Sequence, residues 1–283
     1  MTADRSGALS PRVRFWRRVE RYSRAIGHRA RLLQEADRAR RDGHRLPARL
    51  TYTILRTPYL VDRYLDLTRF IDARRPITLI DVGGNDGSWA ERFLSFFPSA
   101  HVIAFEPGPF AEEYRARFRG NPRVEMEQAA VGSEAGSATI TLAGMLSSFY
   151  EYTAGSHMAA ELEAMPATRQ VTVPVVRLAD YVTRLPSSDA TVILKIDTQG
   201  HEVPALEGAA ELLDRVDVAL VETTLSHEYQ GNPPALAAVV NLLSAHGLLP
   251  TFFASVGQLT SPHPLEQDVI FVREAKVDRL RGW

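Results

Sequence analysis

A doubly wound α/β sheet preceded by a helical N-terminal extension is the fold that this 283-residue sequence predicts. Three observations predict it. From residue 77 onward, short β-branched runs alternate with helical stretches, the pattern of a parallel sheet covered by helices on both faces. The first run breaks into glycines and resumes as a helix, in "ITLIDVGGNDGSWAERF" at 77–93. Upstream of it, apolar residues recur every three or four positions after Pro11, as on one face of a helix.

In chain order, the first helix carries Trp16, Val19, Tyr22, Ile26, Ala30 and Leu33 as its apolar stripe, with arginine on the other face. "RRDGHRLP" ends it at Gly43 and Pro47. A second helix is expected from Pro58, with Leu60, Tyr64, Leu67 and Ile71 on one face. Strands are expected at 77–82, 101–106, 123–128, 191–197, 216–222, 249–254 and 268–272. Helices are expected between them near 88–97, 109–119, 202–214 and 234–246. Residues 134–176 break the rhythm with strand-like "SATITL", helical "SHMAAELEAM" and strand-like "QVTVPVV". An insertion at the end of the sheet where ligands bind can form a substrate wall or lid. The expected organisation is a basic helical extension (1–75), a ligand-binding domain (76–273) containing that insertion, and a tail (274–283).

Composition narrows the function. With 45 % hydrophobic and 24 % charged residues, the chain reads as an ordinary globular protein. No run approaches the roughly 18 apolar residues of a membrane span. The basic N-terminus lacks the apolar centre of a secretory signal, so a cytoplasmic location is expected. Without cysteine there are no disulfides and no thiolate metal sites. A net charge of −1 hides an asymmetry: residues 1–50 hold 14 arginines against five acids, leaving 19 basic and 29 acidic residues elsewhere. Such an arm can bind a membrane surface, nucleic acid or a partner protein, fold back onto the acidic body, or join two copies into a homodimer.

Gly83, Gly84 and Gly87 follow the first strand and open a helix. Glycine there permits a sharp turn, close approach to a ligand, and helix N–H groups aimed at it. The spacing is G-G-x-x-G, so the nicotinamide fingerprint is not met. Asp81 and Asp86 suit a cationic ligand better than a pyrophosphate. Glu106 ends the second strand 23 residues after Gly83, where an acid accepts both ribose hydroxyls. A ribose, a positive charge and no phosphate describe S-adenosylmethionine. Asp81 would attract its ammonium, and the glycine turn would bring N–H groups to its carboxylate.

Lys195 and Asp197 end another strand on one face, about 6–7 Å apart along it. Glu222 ends the next. Strand-tip charges here serve either the chemistry or an ion pair in which Lys195 holds the sheet tip.

The blocks "LIDVGGNDGSW", "VIAFEPGPFAEEY", "AAVGSEAGSATITL", "ILKIDTQGHEVPALEGA" and "VDVALVE", in that order over roughly 77–272, resemble the FkbM family of S-adenosylmethionine-dependent methyltransferases. The resemblance implies a class I methyltransferase (Rossmann-like) fold, with seven strands of which the last, "DVIFV", is antiparallel. It implies O-methylation of a sugar, glycolipid or polyketide-like natural product. It places Asp81, Gly83, Gly84, Asn85 and Gly87 in the cofactor loop, Glu106 with Pro107 at the ribose, and Gln128, Ala129 and Ala130 at the adenine edge. Lys195, Asp197 and Glu202 fall in a K-I-D-x-E-G-x-E block. Gln199 replaces its middle acid, and "RLAD" at 177–180 replaces the usual T-L-D.

Methyl transfer to an alcohol mainly demands alignment, and benefits from a general base or a metal. Asp197, Glu222, His201 and His227 are the base candidates. Asp197 with Glu222 offers oxygen ligands suited to Mg²⁺. "LSSFYEY" at 146–152 offers hydroxyls and rings for a sugar acceptor. The competing classes are a non-catalytic scaffold and a nucleoside or nucleotide-sugar enzyme. A nucleic-acid substrate is disfavoured by the acidic body and the missing N-P-P-Y or S-P-P-Y tetrapeptide; Arg12, Arg14, Arg17, Arg18, Arg21 and Arg24 are the residues to neutralise in testing it.

Overall fold

The computed structural model describes residues 11–144, 147–156, 159, 163, 168–186, 189–254 and 266–277, the side chains of 11–21, 24, 59 and 254 excepted. Three helices come first: α1 (Pro11–Arg41), α2 (Leu50–Arg56) and, after a 3₁₀ turn at Pro58–Leu60, α3 (Asp62–Leu67). The strands are β1 (Ile77–Val82), β2 (His101–Phe105), β3 (Val124–Glu127), β4 (Ala130–Val131), β5 (Gly136–Leu142), β6 (Arg169–Val176), β7 (Thr191–Ile196), β8 (Val218–Thr224), β9 (Leu248–Ala254) and β10 (Glu266–Arg273). Between them run α4 (Ser88–Phe96), α5 (Phe110–Arg117), α6 (Glu202–Glu207), α7 (Ala210–Leu213) and α8 (Leu236–Ala245), with α9 (Glu274–Val277) closing the described chain.

Seven strands form one sheet in the order β3-β2-β1-β7-β8-β10-β9. Pairing is parallel from β3 to β8, while β10 runs antiparallel to both neighbours. This is the class I methyltransferase arrangement, a Rossmann-like sheet whose strand order reverses between β1 and β7. Strand side chains alternate between two helix-covered faces. Ile80, Val82, Leu194, Ile196 and Val221 pack with Leu206, Leu212 and Val239 on one side. Leu79, Ile193, Leu220 and Ile270 pack with Phe93, Phe96 and the N-terminal helices on the other. A second sheet, β4-β6-β5, is built largely from the insertion.

The expected strands all form, with ends shifted by a residue or two. The helical element expected at 202–214 is broken at Gly208, which sits so close to the Gly132 carbonyl that a Cβ would lie 1.9 Å from it. "SHMAAELEAM" falls mostly outside the described residues.

The N-terminal helices differ from expectation in two ways. Helix α2 was not foreseen, and the element expected at Pro58 begins as the 3₁₀ turn. The expected apolar stripe is not the buried face throughout: Leu33 packs against the core, but Tyr22 is 58 % and Ile26 67 % exposed, while Leu32, Ala36 and Ala39 are buried. The reason is tertiary. Arg31 pairs with Asp66 at 2.9 Å, and Arg38 bonds Glu35, Asp42 and the Thr68 hydroxyl, so the partly charged face is the one that docks. Among the described residues, no helix is long and apolar enough to cross a membrane.

Candidate functional site

The reversal of strand order brings the ends of β1 and β7 side by side, with Asp81 level with Lys195 and Val82 with Ile196. The chain then turns at Gly83, whose φ of +74° only glycine adopts without strain. A Cβ there would lie 1.8 Å from the Asp197 carbonyl oxygen. Beyond this crossing opens a cleft at the carboxyl ends of the strands, where ligands bind in sheets of this kind. Gly83, Asn85, Glu106 and Pro107 line one part of it, Ala129 and Ala130 another, and Asp197 and Gln199 a third.

Glu106 is held as a two-pronged acceptor. Its Oε2 accepts from the Asn85 N–H at 3.0 Å and its Oε1 from the Gly108 N–H at 2.8 Å. Burial raises its pKa, opposed by those two N–H groups. Each oxygen keeps a lone pair for a ligand hydroxyl.

Other residues of the loop have different work. Asp81 does not line the cleft and is not placed to meet a ligand ammonium. It is fully buried, 3.2 Å from Lys195 Nζ, and accepts from the Tyr114 hydroxyl at 3.3 Å. The N–H groups of Gly83 and Gly84 both donate to the Phe105 carbonyl, so they are not free for a ligand carboxylate. Gly84 and Gly87 leave room for the Tyr114 ring, which a Cβ on either would approach at 2.8 and 3.0 Å. Gln128 reaches back to the Gly108 carbonyl and accepts from Arg115.

At the tip of β7, Lys195 Nζ lies 3.5 Å from Asp197 and donates to the Gly83 carbonyl at 3.0 Å. Burial disfavours its charge, but Asp81 and then Asp197 outweigh that and hold its pKa above the ordinary value. The ion-pair reading of Lys195 is what the structure contains. Asp197 is a partly open carboxylate, its side chain 36 % exposed. Burial works against its charge, yet Lys195 and hydrogen bonds from Glu222 and Gln199 hold its pKa below the usual range. Glu222 goes the other way, raised well above its usual value by burial and by Asp197. Of the two carboxyls, Asp197 is therefore the more acidic and Glu222 the weaker acid. Gln199 Nε2 bridges them at 3.3 and 2.9 Å.

The structure lends no support to the expected Mg²⁺ site. The Lys195 ammonium stands 3.5 Å from Asp197, and among the described residues no group of three or more acids or histidines is placed to hold a metal.

The histidines separate from the cleft. His201 stacks on Phe149 at 4.2 Å, meets the Tyr150 hydroxyl at 3.1 Å, and has its pKa lowered to about 4 by burial. His227 lines a different, shallow depression with Tyr229 and Asn232. Glu202 clamps the loop after β7, accepting from the Thr198 N–H, the Thr198 hydroxyl and the Gly200 N–H.

The insertion reaches the same cleft: Ser147, Ser148 and Phe149 line it, and the Ser148 hydroxyl donates to the Gln199 carbonyl at 2.7 Å. Sequence reasoning missed Phe110, Ile140 and Thr198, which also line it. Phe110 follows directly on "EPGP" and Thr198 sits inside "KIDTQG", so proximity to those motifs was the available signal.

A sheet of this order with a carboxylate-bearing cleft at its switch point defines a class I methyltransferase domain. Residues 81–252 match the family model described as "Methyltransferase FkbM domain", and the chain belongs to that family of methyltransferases. It is 26 % identical over 192 residues to "Methyltransferase 1" of Beauveria bassiana, covering 62 % of this chain and 76 % of that protein. It is 26 % identical over 212 residues to "2-O-methyltransferase NoeI" of Sinorhizobium fredii, covering 68 % and 77 %. Among solved structures, a methyltransferase FkbM from Methylobacillus flagellatus superposes with a TM-score of 0.43 at 12 % identity, covering 88 % of this chain; the chain spans 59 % of that one.

Proposed function

We propose that the protein is an S-adenosylmethionine-dependent O-methyltransferase acting on a hydroxyl of a sugar, glycolipid or polyketide-like natural product. The observation that carries this reading is the Glu106 carboxylate, fixed by two backbone N–H groups in the cleft and shaped for a vicinal diol. Asn85, Pro107, Ala129 and Ala130 would hold the remainder of the nucleoside, and the tight Gly83 turn would lie against the amino-acid portion. When bound, S-adenosylmethionine supplies an electrophilic methyl group on a sulfonium.

The chain's residues would prepare the acceptor. Asp197, kept ionised by Lys195, would take the proton of the incoming hydroxyl on its carboxylate, while Gln199 fixes its orientation. Ser147, Ser148 and Phe149 would form the acceptor wall. A 2-O-methyltransferase among the relatives is consistent with a sugar hydroxyl.

S-adenosylhomocysteine binding by calorimetry is the test. Wild type is expected to bind in the micromolar range and Glu106→Ala about a hundredfold more weakly, because two hydrogen bonds to a charged acceptor are lost. Unaltered binding by Glu106→Ala would refute the ribose assignment. Once an acceptor is in hand, Asp197→Asn should lower kcat about 10²–10⁴-fold, the usual contribution of a positioned base, with S-adenosylhomocysteine affinity retained. A kcat within a few-fold of wild type would remove Asp197 from that role.

A further inference from the structure

The exposed apolar residues Tyr22 and Ile26 of α1 have counterparts on α2. Tyr52 and Leu55 are 64 % and 51 % exposed, joining Ile26 and Tyr22 as the large exposed apolar residues of this region. The two helices are tied there: Arg29, one turn beyond Ile26, donates from Nε to the Leu55 carbonyl at 3.0 Å. Arginine borders the apolar residues. Arg56 sits 5.7 Å over the Tyr52 ring, and Arg45 and Arg49 are exposed nearby in the chain. Glu35, Asp37 and Asp42 of the same region are neutralised by arginine, while Arg45, Arg49 and Arg56 have no carboxylate partner among the described residues.

We propose that this face docks on an anionic lipid bilayer. Apolar and aromatic side chains bordered by arginine on a helix of low mean hydropathy are the composition that lies in a membrane interface, where the apolar part enters the headgroup boundary and the cations meet lipid phosphate. A second copy seated symmetrically on the same face would set arginine against arginine, since an isologous contact pairs each patch with itself. The charge complement therefore lies in an anionic surface.

The experiment is flotation of the full-length protein with phosphatidylcholine vesicles, with and without phosphatidylglycerol. The protein should float with the anionic vesicles alone and be released by high salt. Ile26→Ser/Leu55→Ser and Arg49→Gln/Arg56→Gln should each partition about tenfold more weakly. All four positions are exposed, so melting temperature and S-adenosylhomocysteine binding should stay at wild-type values, which separates this inference from the cofactor reading. Failure to float with anionic vesicles overturns the proposal, as does flotation of both variants equal to wild type. A dimer in light scattering that Ile26→Ser/Leu55→Ser dissociates, without flotation, identifies a second copy as the occupant and overturns it too.

Discussion

Lys195→Met is expected to lower the unfolding free energy by about 3–5 kcal/mol, the typical cost of removing one partner from a buried ion pair. The ammonium is the only cation within 4 Å of Asp81 among the described residues, and Asp81 has no exposed surface. Without it, the Asp81 carboxylate keeps one weak bond from Tyr114 and must remain ionised at high cost or take up a proton. Asp197 would lose the charge that keeps its own pKa low. Denaturant unfolding of Lys195→Met, Asp81→Asn and the double variant forms a cycle that isolates the pair. The double variant should recover part of the loss, since an amide tolerates burial next to methionine far better than a carboxylate does. A loss below about 1 kcal/mol for Lys195→Met would show that the pair contributes little.

Gly83→Ala should cost about 4 kcal/mol or more and abolish nucleoside binding, for a reason unlike that of most core substitutions. The added carbon meets a carbonyl oxygen at 1.8 Å. That oxygen belongs to backbone fixed at the next residue boundary, because the Asp197 N–H donates to the Val82 carbonyl at 3.1 Å. Neither side can yield without separating β1 from β7. The left-handed φ adds its own penalty. Gly87→Ala is the control: its φ is +81°, but its added carbon meets the rings of Phe118 and Tyr114 near 3 Å, and side chains can shift. About 1–2 kcal/mol is expected there. Thermal melts of the two variants check the contrast, and equal losses would mean that left-handed backbone strain, not the crossing with Asp197, dominates at Gly83.

Both predictions concern residues that the sequence had marked for a ligand. Asp81 and Gly84 stand out in the sequence because they end a strand and open a helix, and a ligand is the usual reason for such residues. The structure assigns Asp81 to Lys195 and Gly84 to Tyr114, two partners 114 and 30 positions away in the chain. Local pattern carries no information about pairings of that range. Glu106 and Asp197 were legible because their placement follows from a strand end alone, and a strand end at a switch point opens on a cleft whatever lies behind it.

The same division runs through the whole molecule. Sequence by itself determined the strands, the two-faced sheet and the carboxylates at its tip, since alternation and strand ends are written in neighbouring residues. Tertiary structure alone decided which face of α1 is buried, because Leu32 and Ala36 compete with Tyr22 and Ile26 for the body, and the ion pairs to Asp66 and the bond to Thr68 select the first pair. It alone decided that His201 supports Phe149 and that His227 faces another depression, because a histidine's role depends on what the chain brings beside it. Periodicity records that a face is apolar; only the positions of distant charges determine whether that face turns inward.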